Sequence, residues 1–112
     1  MDITPELKER AQALHRDCFV ADAHYDLLNL LAAKRLEGGR TDVFRTDYLE
    51  KIRAGGVDLL ISSIFIDDRH VPEMALRRAL DQIACMHEEL AQCPDLVLCR
   101  SVAEIRAALE GR

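Results

Sequence analysis

In the triplet His24-Tyr25-Asp26, two side chains that commonly bind metal ions are separated by a single residue. Successive side chains of a β-strand point to opposite faces, so His24 and Asp26 are expected on one face and Tyr25 on the other. An imidazole nitrogen beside a carboxylate oxygen suits Zn²⁺ or a similar divalent cation. Asp22 lies two residues before His24 and could orient the pair through hydrogen bonds. The triplet therefore predicts a metal site with His24 and Asp26 as ligands.

A simpler interpretation of Asp26 stays open from the residues alone. An aspartate directly before an apolar helical segment often caps that helix, and Leu27 follows immediately. A catalytic zinc site also needs about three protein ligands, whereas this triplet supplies only two. No catalytic nucleophile, acid or base is predicted, nor any ligand of an organic cofactor.

The elements that would position this triplet alternate between strands and helices. Residues 18–21 form a short apolar run, typical of a strand buried on both faces, and lead directly into the polar cluster. Residues 57–66 predict a second strand and residues 96–99 a brief third one. The predicted helices are 5–16, 27–36, 47–54, 73–92 and 102–110. Strands that alternate with helices indicate parallel β-α-β units, so the predicted fold class is α/β.

Local signals predict where several of these helices begin. Thr4-Pro5 combines an N-cap with a proline at the first helical position. Ser101 and Glu104 have the spacing of a capping box, and Thr46 is predicted to cap the third helix. On the fourth helix, an apolar stripe at helical spacing predicts the buried face. The stripe consists of Leu76, Leu80, Ile83, His87 and Leu90.

The other three histidines are less suited to bind metal. His15 lies within the first helix and is expected at the surface or its boundary, and His87 is expected in the core or at its boundary. His70 follows the second predicted strand, at the end of a parallel sheet where active sites form. His70 is therefore a candidate for lining the site.

Composition argues against several partners. The 112 residues carry 15 Lys and Arg against 20 Asp and Glu, a net charge of -5, with 4% aromatic residues and no Trp. Nucleic-acid-binding modules usually show the opposite charge balance and stacking aromatics. No apolar run is long enough for a membrane span or a signal peptide. Four cysteines without a C-x-x-C pair predict reduced, mostly buried thiols and a cytoplasmic protein.

Four segments carry a pattern that extends along most of the chain: 14–17 (Leu-His-Arg-Asp), 20–27 (Val-Ala-Asp-Ala-His-Tyr-Asp-Leu), 46–57 and 75–83. In order and spacing they resemble the membrane (renal) dipeptidase family, the M19 metallopeptidases of the amidohydrolase superfamily. That family typically has Asp-Gly-His-Asn-Asp where this chain has Asp-Ala-His-Tyr-Asp. The two replacements remove no ligand and bear on substrate preference.

The resemblance implies a TIM-type (β/α)8 barrel, of which residues 1–112 would be an N-terminal part and a single partial domain. It implies a binuclear zinc centre that hydrolyses dipeptides, with His24 and Asp26 at the H-x-D positions that bind one metal. The metals would activate a bridging water and polarise the scissile carbonyl. Such a barrel takes about 250 residues, and the family's bridging glutamate and two further histidine ligands would follow residue 112. This chain alone is therefore expected to be inactive.

Two other functions stay open. An incomplete α/β unit has unsatisfied apolar faces and strand edges, so it could be a non-catalytic module that forms a homo-oligomer or binds a partner. The chain could also belong to an amidohydrolase that acts on a different amide or a lactam, which Tyr25 would signal.

Overall fold

A computed structural model describes residues 2–111 as an alternation of helices and strands. The helices are α1 (Pro5–Asp17), α2 (Leu27–Gly38), α3 (Leu49–Ala54), α4 (Ala75–Gln92) and α5 (Val102–Glu110). The strands are β1 (Ala21–Tyr25) and β2 (Leu59–Ser62). A π-helical turn at Phe44–Tyr48 leads into α3, and a 3-10 turn spans Asp68–His70. The predicted α/β class is confirmed.

The two strands form a parallel sheet, with Ala21 opposite Leu59 and Tyr25 opposite Ser62. Because α2, the π-helical turn and α3 connect them, residues 21–62 make one β-α-β unit. The sheet described within residues 2–111 has two strands. The closed eight-stranded barrel that the resemblance implies therefore stays a prediction.

Both strands differ in extent from the apolar runs that predicted them, which were 18–21 and 57–66. A strand forms only where a partner pairs with it. The Cys18 N–H still bonds to the carbonyl of Leu14 in α1, at 2.9 Å, so the chain leaves the helix late and β1 begins late. The Ser63 N–H bonds to the carbonyl of the last residue of β1, at 3.0 Å, and β2 ends there because β1 ends.

The strand predicted at 96–99 does not form in the described part of the chain. Leu96 and Leu98 line an apolar cavity of about 120 Å³ together with Leu60 and Ser62 of β2. The segment therefore lies beside β2 across a cavity and does not pair with it as a strand.

The third helical segment begins before its predicted cap. The backbone is already helical at Val43, and the Thr46 hydroxyl donates to the carbonyl of Asp42, at 3.0 Å. Thr46 thus lies inside the turn, and its side chain bonds back to the preceding turn. Asp42 has a left-handed backbone conformation, with φ of 59°, and turns the chain into this segment.

The core lies between α2, the π-helical turn and α4. Its buried apolar side chains are Leu27, Leu28, Leu31, Ala32, Val43, Phe44, Leu49, Cys85 and Cys93. Tyr25 of β1 and Leu60 of β2 pack against this cluster from the sheet. One face of the sheet is therefore covered by helices, and the site residues lie at the strand end beyond it.

The α4 helix packs through a different face from the predicted apolar stripe. Of the stripe, Leu76 is 73% exposed, Leu80 is 55% exposed and His87 is also exposed, whereas Ile83 and Leu90 are half-buried. The buried residues of α4 are Gln82, Cys85 and Glu89. The expectation that His87 lies in or at the core was therefore wrong, and the helix faces the core with a partly polar surface.

Glu89 accounts for this orientation of α4. Its Oε2 accepts a hydrogen bond from Phe44 N at 2.8 Å and its Oε1 accepts one from Val43 N at 3.2 Å. The guanidinium of Arg35 in α2 lies 3.4 Å from Oε1. A carboxylate is costly to bury unless its oxygens are paired and hydrogen-bonded. The two backbone donors therefore hold α4 against the π-helical turn, and Arg35 holds it against α2, the helix that begins directly after Asp26.

Asp47 forms a second polar contact in the connection between the strands. Its carboxylate accepts two hydrogen bonds from the Arg40 guanidinium, at 2.7 and 2.8 Å, and one from the Lys34 ammonium at 2.7 Å. The Arg40 guanidinium, with the Lys34 ammonium, holds the pKa of this carboxyl well below its usual range. The cluster joins the end of α2 to the π-helical turn.

Candidate metal site

The strand and the helix that follow one another at residues 21–38 bring His24 and Asp26 together. His24 is the fourth residue of β1, and Asp26 stands between β1 and α2. The His24 Nε2 and Asp26 Oδ1 atoms are 3.2 Å apart. The His24 side chain is 74% exposed and the Asp26 side chain 43% exposed. The pair thus lies in the open at the carboxyl end of a parallel strand.

The separation of these two atoms suits a shared metal ion. Zinc binds imidazole nitrogen and carboxylate oxygen at about 2.1 Å, and tetrahedral geometry places two such ligand atoms about 3.4 Å apart. The observed 3.2 Å is close to that spacing. The two residues therefore fit a zinc ion as neighbouring ligands.

The structure does not support the simpler interpretation of Asp26 as a helix cap. Asp26 occupies the N-cap position of α2, but its side chain makes no capping hydrogen bond. Its backbone angles, φ of -82° and ψ of 36°, also lie outside the extended conformation usual for N-cap residues. The carboxylate is instead turned towards the end of β2.

Ser63, which the sequence analysis did not select, lies between the two candidate ligands. Its hydroxyl donates to Asp26 Oδ1 at 2.5 Å and lies 3.4 Å from His24 Nε2. Ser63 directly follows β2, and parallel neighbouring strands end at the same edge of a sheet. A serine pair that interrupts the apolar run 57–66 is the signal that could have identified it.

Asp22 shapes the backbone of the site. The pairing register slips between Asp22 and Tyr25, so β1 carries an extra residue there. Asp22 Oδ1 accepts a hydrogen bond from the His24 backbone N–H at 3.1 Å. The aspartate therefore supports the irregular segment that presents the imidazole, and its described contact is with the backbone of His24.

Tyr25 points away from the candidate ligands and packs against the core cluster, as the strand alternation predicted. This residue had suggested a different amide or lactam substrate. Because Tyr25 faces the helices, it does not line the side of the sheet that carries His24.

The remaining histidines lie elsewhere. His70 lines a separate small cavity of about 30 Å³ with Asp67 and Arg69, and neither His24 nor Asp26 borders that cavity. His15 is exposed, as expected, and its Nδ1 lies 2.7 Å from the carbonyl of Gly55, before β2. Among residues 2–111, no three His, Cys, Asp or Glu side chains come together as a metal-binding group. The pair is therefore a partial site.

The arrangement differs from that of a serine hydrolase. In a Ser-His-Asp triad the serine and the aspartate bond to opposite nitrogens of the imidazole. Here Ser63 Oγ and Asp26 Oδ1 both lie at His24 Nε2, at 3.4 and 3.2 Å, and the serine proton is directed at the carboxylate. This geometry suits a metal-binding pair better than an activated serine.

The fold and the pair define an α/β chain with His and Asp side chains presented at the carboxyl end of a parallel strand. The family model for membrane dipeptidase (peptidase family M19) matches residues 8–112. This chain belongs to the membrane dipeptidase family, a family of peptidases and therefore of hydrolases. The resemblance given by the sequence motifs is confirmed. Searches of curated proteins and of solved structures found no significant match.

Two further observations concern the thiols and the helices of the chain. All four cysteines are free thiols, and Cys85 and Cys93 are buried while Cys18 is exposed. Burial raises the pKa of the Cys85 thiol, which disfavours the thiolate form that binds metals. In the part of the chain that the structure describes, no helix has the length and apolar character to cross a membrane.

Proposed function

We propose that this chain supplies the first part of the active site of a zinc-dependent dipeptidase, with His24 and Asp26 as ligands of one metal. The observation that carries the proposal is the 3.2 Å separation of His24 Nε2 and Asp26 Oδ1 at the exposed carboxyl end of β1. Membership of the dipeptidase family supports the reaction class. Two ligands cannot hold a catalytic zinc centre, so we expect the isolated chain not to turn over dipeptides.

The fold of the complete enzyme is part of this proposal. The β-α-β unit at residues 21–62 would be the first unit of a (β/α)8 barrel, and the whole chain one partial domain of it. Further barrel strands would supply the remaining ligands. Dipeptides are the proposed substrates, and a net charge of -5 argues against nucleic acid. Four free thiols favour a reducing, cytoplasmic location.

His24 and Asp26 have distinct roles in the proposed site. Zinc ions, when bound in such a centre, lower the pKa of a bound water and polarise the scissile carbonyl. His24 offers a neutral nitrogen, while Asp26 offers an anionic oxygen that offsets part of the cation's charge. The exposed imidazole leaves room for the further ligands and for a substrate.

A zinc titration of the 112-residue chain, followed by the NMR signals of the histidine side chains, tests the metal role. We expect the His24 signals to shift with zinc, and the affinity to fall at least tenfold in His24→Ala and in Asp26→Ala. His87→Ala removes another exposed histidine and serves as the matched control. Zinc affinity that is the same in wild type and His24→Ala would show that the pair does not bind the metal.

A second candidate function is self-association through apolar surface. Leu76 is 73% exposed and Leu80, one helical turn further along α4, is 55% exposed. Contiguous exposed apolar surface often marks an interaction site. This observation favours a homo-oligomer or a partner-binding module, either alone or together with the metal role.

Sedimentation equilibrium over a range of chain concentrations tests this candidate. We expect concentration-dependent association of the wild type and a shift towards monomer in the double variant Leu76→Glu and Leu80→Glu. Both positions are exposed, so the charges are accepted with little loss of stability. A wild-type chain that stays monomeric at all concentrations would contradict the homo-oligomer.

A further inference from the structure

We propose that Ser63 is a positioning residue for the candidate metal site, whose hydroxyl holds the Asp26 carboxylate beside the His24 imidazole. This inference rests on the metal role proposed for the pair. It concerns a residue that directly follows the neighbouring strand, β2.

The Ser63 hydroxyl has three oxygen or nitrogen neighbours, and one of them is much closer than the others. Asp26 Oδ1 lies at 2.5 Å, the Tyr25 carbonyl at 3.3 Å and His24 Nε2 at 3.4 Å. A hydroxyl has one proton to donate and two lone pairs to accept with. The proton goes to the carboxylate, since hydrogen bonds to ionised oxygens are short and strong. A lone pair can accept from His24 Nε2 when that nitrogen carries hydrogen.

The backbone of Ser63 is tied to the same triplet. Its N–H donates to the Tyr25 carbonyl at 3.0 Å, the last bond between the two strands. This bond fixes the backbone of Ser63, and so the base of its side chain, opposite the segment that joins His24 to Asp26. A side chain that is anchored in this way can orient its partner, because its own position is set by the sheet.

Asp26 needs such a partner to have one orientation. Its carboxylate makes no capping bond to α2, and the side chain is 43% exposed. The remaining described contact of the carboxylate is with the imidazole of His24, which is itself 74% exposed. Without the Ser63 hydroxyl, both candidate ligands would be free to rotate into solvent, and ordering them would lower the affinity for a metal.

The hydrogen bond is compatible with metal binding at the same oxygen. A carboxylate oxygen has two lone pairs, so Asp26 Oδ1 can accept from Ser63 and still bind a cation. A metal held by the lone pair of His24 Nε2 would leave that nitrogen without a hydrogen to donate to Ser63, while the bond from Ser63 to Asp26 would remain. Hydrogen bonds of this kind to metal-binding carboxylates orient the ligand and raise affinity.

The adjacent residue, Ser62, offers a matched control. Its hydroxyl is buried on the core side, and within residues 2–111 it has no hydrogen-bond partner. Ser62→Ala therefore removes the same group from the adjacent residue without touching the candidate site. Ser63→Thr keeps the hydroxyl and tests whether that group, and not the size of the side chain, is responsible.

Two measurements on the full 112-residue chain test the proposal. The first is made without metal: the Hα–Hβ couplings of Asp26 report whether its side chain has one orientation. We expect the couplings of a single rotamer in wild type, Ser62→Ala and Ser63→Thr, and two similar, averaged values in Ser63→Ala. The second is a zinc titration, in which we expect Ser63→Ala to weaken binding about tenfold and the other two variants to stay within about twofold of wild type.

The outcomes separate this inference from the metal proposal. Unchanged Asp26 couplings in Ser63→Ala would overturn the positioning role, whether or not the chain binds zinc. Averaged couplings together with unchanged zinc affinity would overturn it as well. Failure of the metal role itself appears separately, as zinc affinity that does not depend on His24. Averaged couplings with tenfold weaker zinc binding, both restored by threonine, would support the proposal.

Discussion

Replacement of Glu89 by alanine should destabilise this chain far more than the same change at its neighbour. Glu89 is 2% exposed and is the acceptor for the backbone N–H groups of Val43 and Phe44. Arg35 also lies within reach of its carboxylate, at 3.4 Å. The substitution removes every one of these acceptor contacts and leaves buried donors behind.

The expected loss in the free energy of unfolding follows from the donors that are left without an acceptor. A buried N–H without an acceptor costs about 1–3 kcal/mol, and Glu89→Ala leaves two of them. Breaking a buried ion pair by removing one partner costs about 3–5 kcal/mol in measured cases. Because these contributions overlap, we expect a total of about 3–5 kcal/mol. Small domains have only about 5–15 kcal/mol in all, so the variant should lose a large share of its stability.

Urea unfolding followed by circular dichroism measures this loss. With an m-value of about 1.5 kcal/mol/M, the midpoint should fall by roughly 2–3 M. Glu88→Ala is the matched control, since Glu88 pairs with Arg35 at 2.8 Å but its side chain is 58% exposed. An exposed pair contributes at most about 1 kcal/mol. Equal losses in the two variants would refute the view that Glu89 sets the packing of α4.

Two further predictions concern residues in the connection between the strands. The pKa of Asp47 is held well below its usual range, chiefly by Arg40, so the stabilisation from its charge is present above about pH 4 and is lost as the pH falls further. Asp47→Asn should therefore be less stable than wild type at pH 7. In urea titrations, the difference in the free energy of unfolding between the two proteins should become smaller below pH 4. A difference that stays constant with pH would contradict this. Gly56 has φ of 68°, and a Cβ there would lie 3.1 Å from His15 atoms, so thermal melts of Gly56→Ala should show a loss of about 1–2 kcal/mol. Gly55→Ala, where a Cβ meets only ordinary contacts, should change little, and equal losses would argue against backbone strain at Gly56.

Elements with local signals were predicted well from the sequence. The first helix begins where Thr4 and Pro5 place it, and the Thr4 hydroxyl accepts from Leu7 N at 3.3 Å. Ser101 likewise caps the last helix, accepting from Glu104 N at 3.2 Å. These signals act within one turn of helix, so their outcome does not depend on distant parts of the fold.

Features that depend on distant partners were predicted less well. The extent of each strand follows from the length of the other, which the apolar run 57–66 does not show. The orientation of α4 depends on Glu89 meeting two N–H groups more than 40 residues earlier, while Leu76 and Leu80 of the apolar stripe stay exposed. Hydrophobic periodicity describes a helix face but does not identify its partner.

The candidate site was predicted in part for the same reason. Strand alternation was enough to place His24 and Asp26 on a common side. The contact with Ser63 required knowledge that β1 and β2 are neighbours and end together. A residue 37 positions away cannot be assigned to the pair from local pattern alone.

The most direct test of the central claim is zinc K-edge X-ray absorption on the zinc-loaded chain. If His24 and Asp26 bind the metal, the nearest shell should contain only nitrogen and oxygen at about 2.0–2.2 Å, with outer scattering from one imidazole. His24→Ala should lose the imidazole contribution. Sulfur scattering at about 2.3 Å would show that the free thiols bind the metal instead. An unchanged imidazole signal in His24→Ala would equally contradict the proposed site.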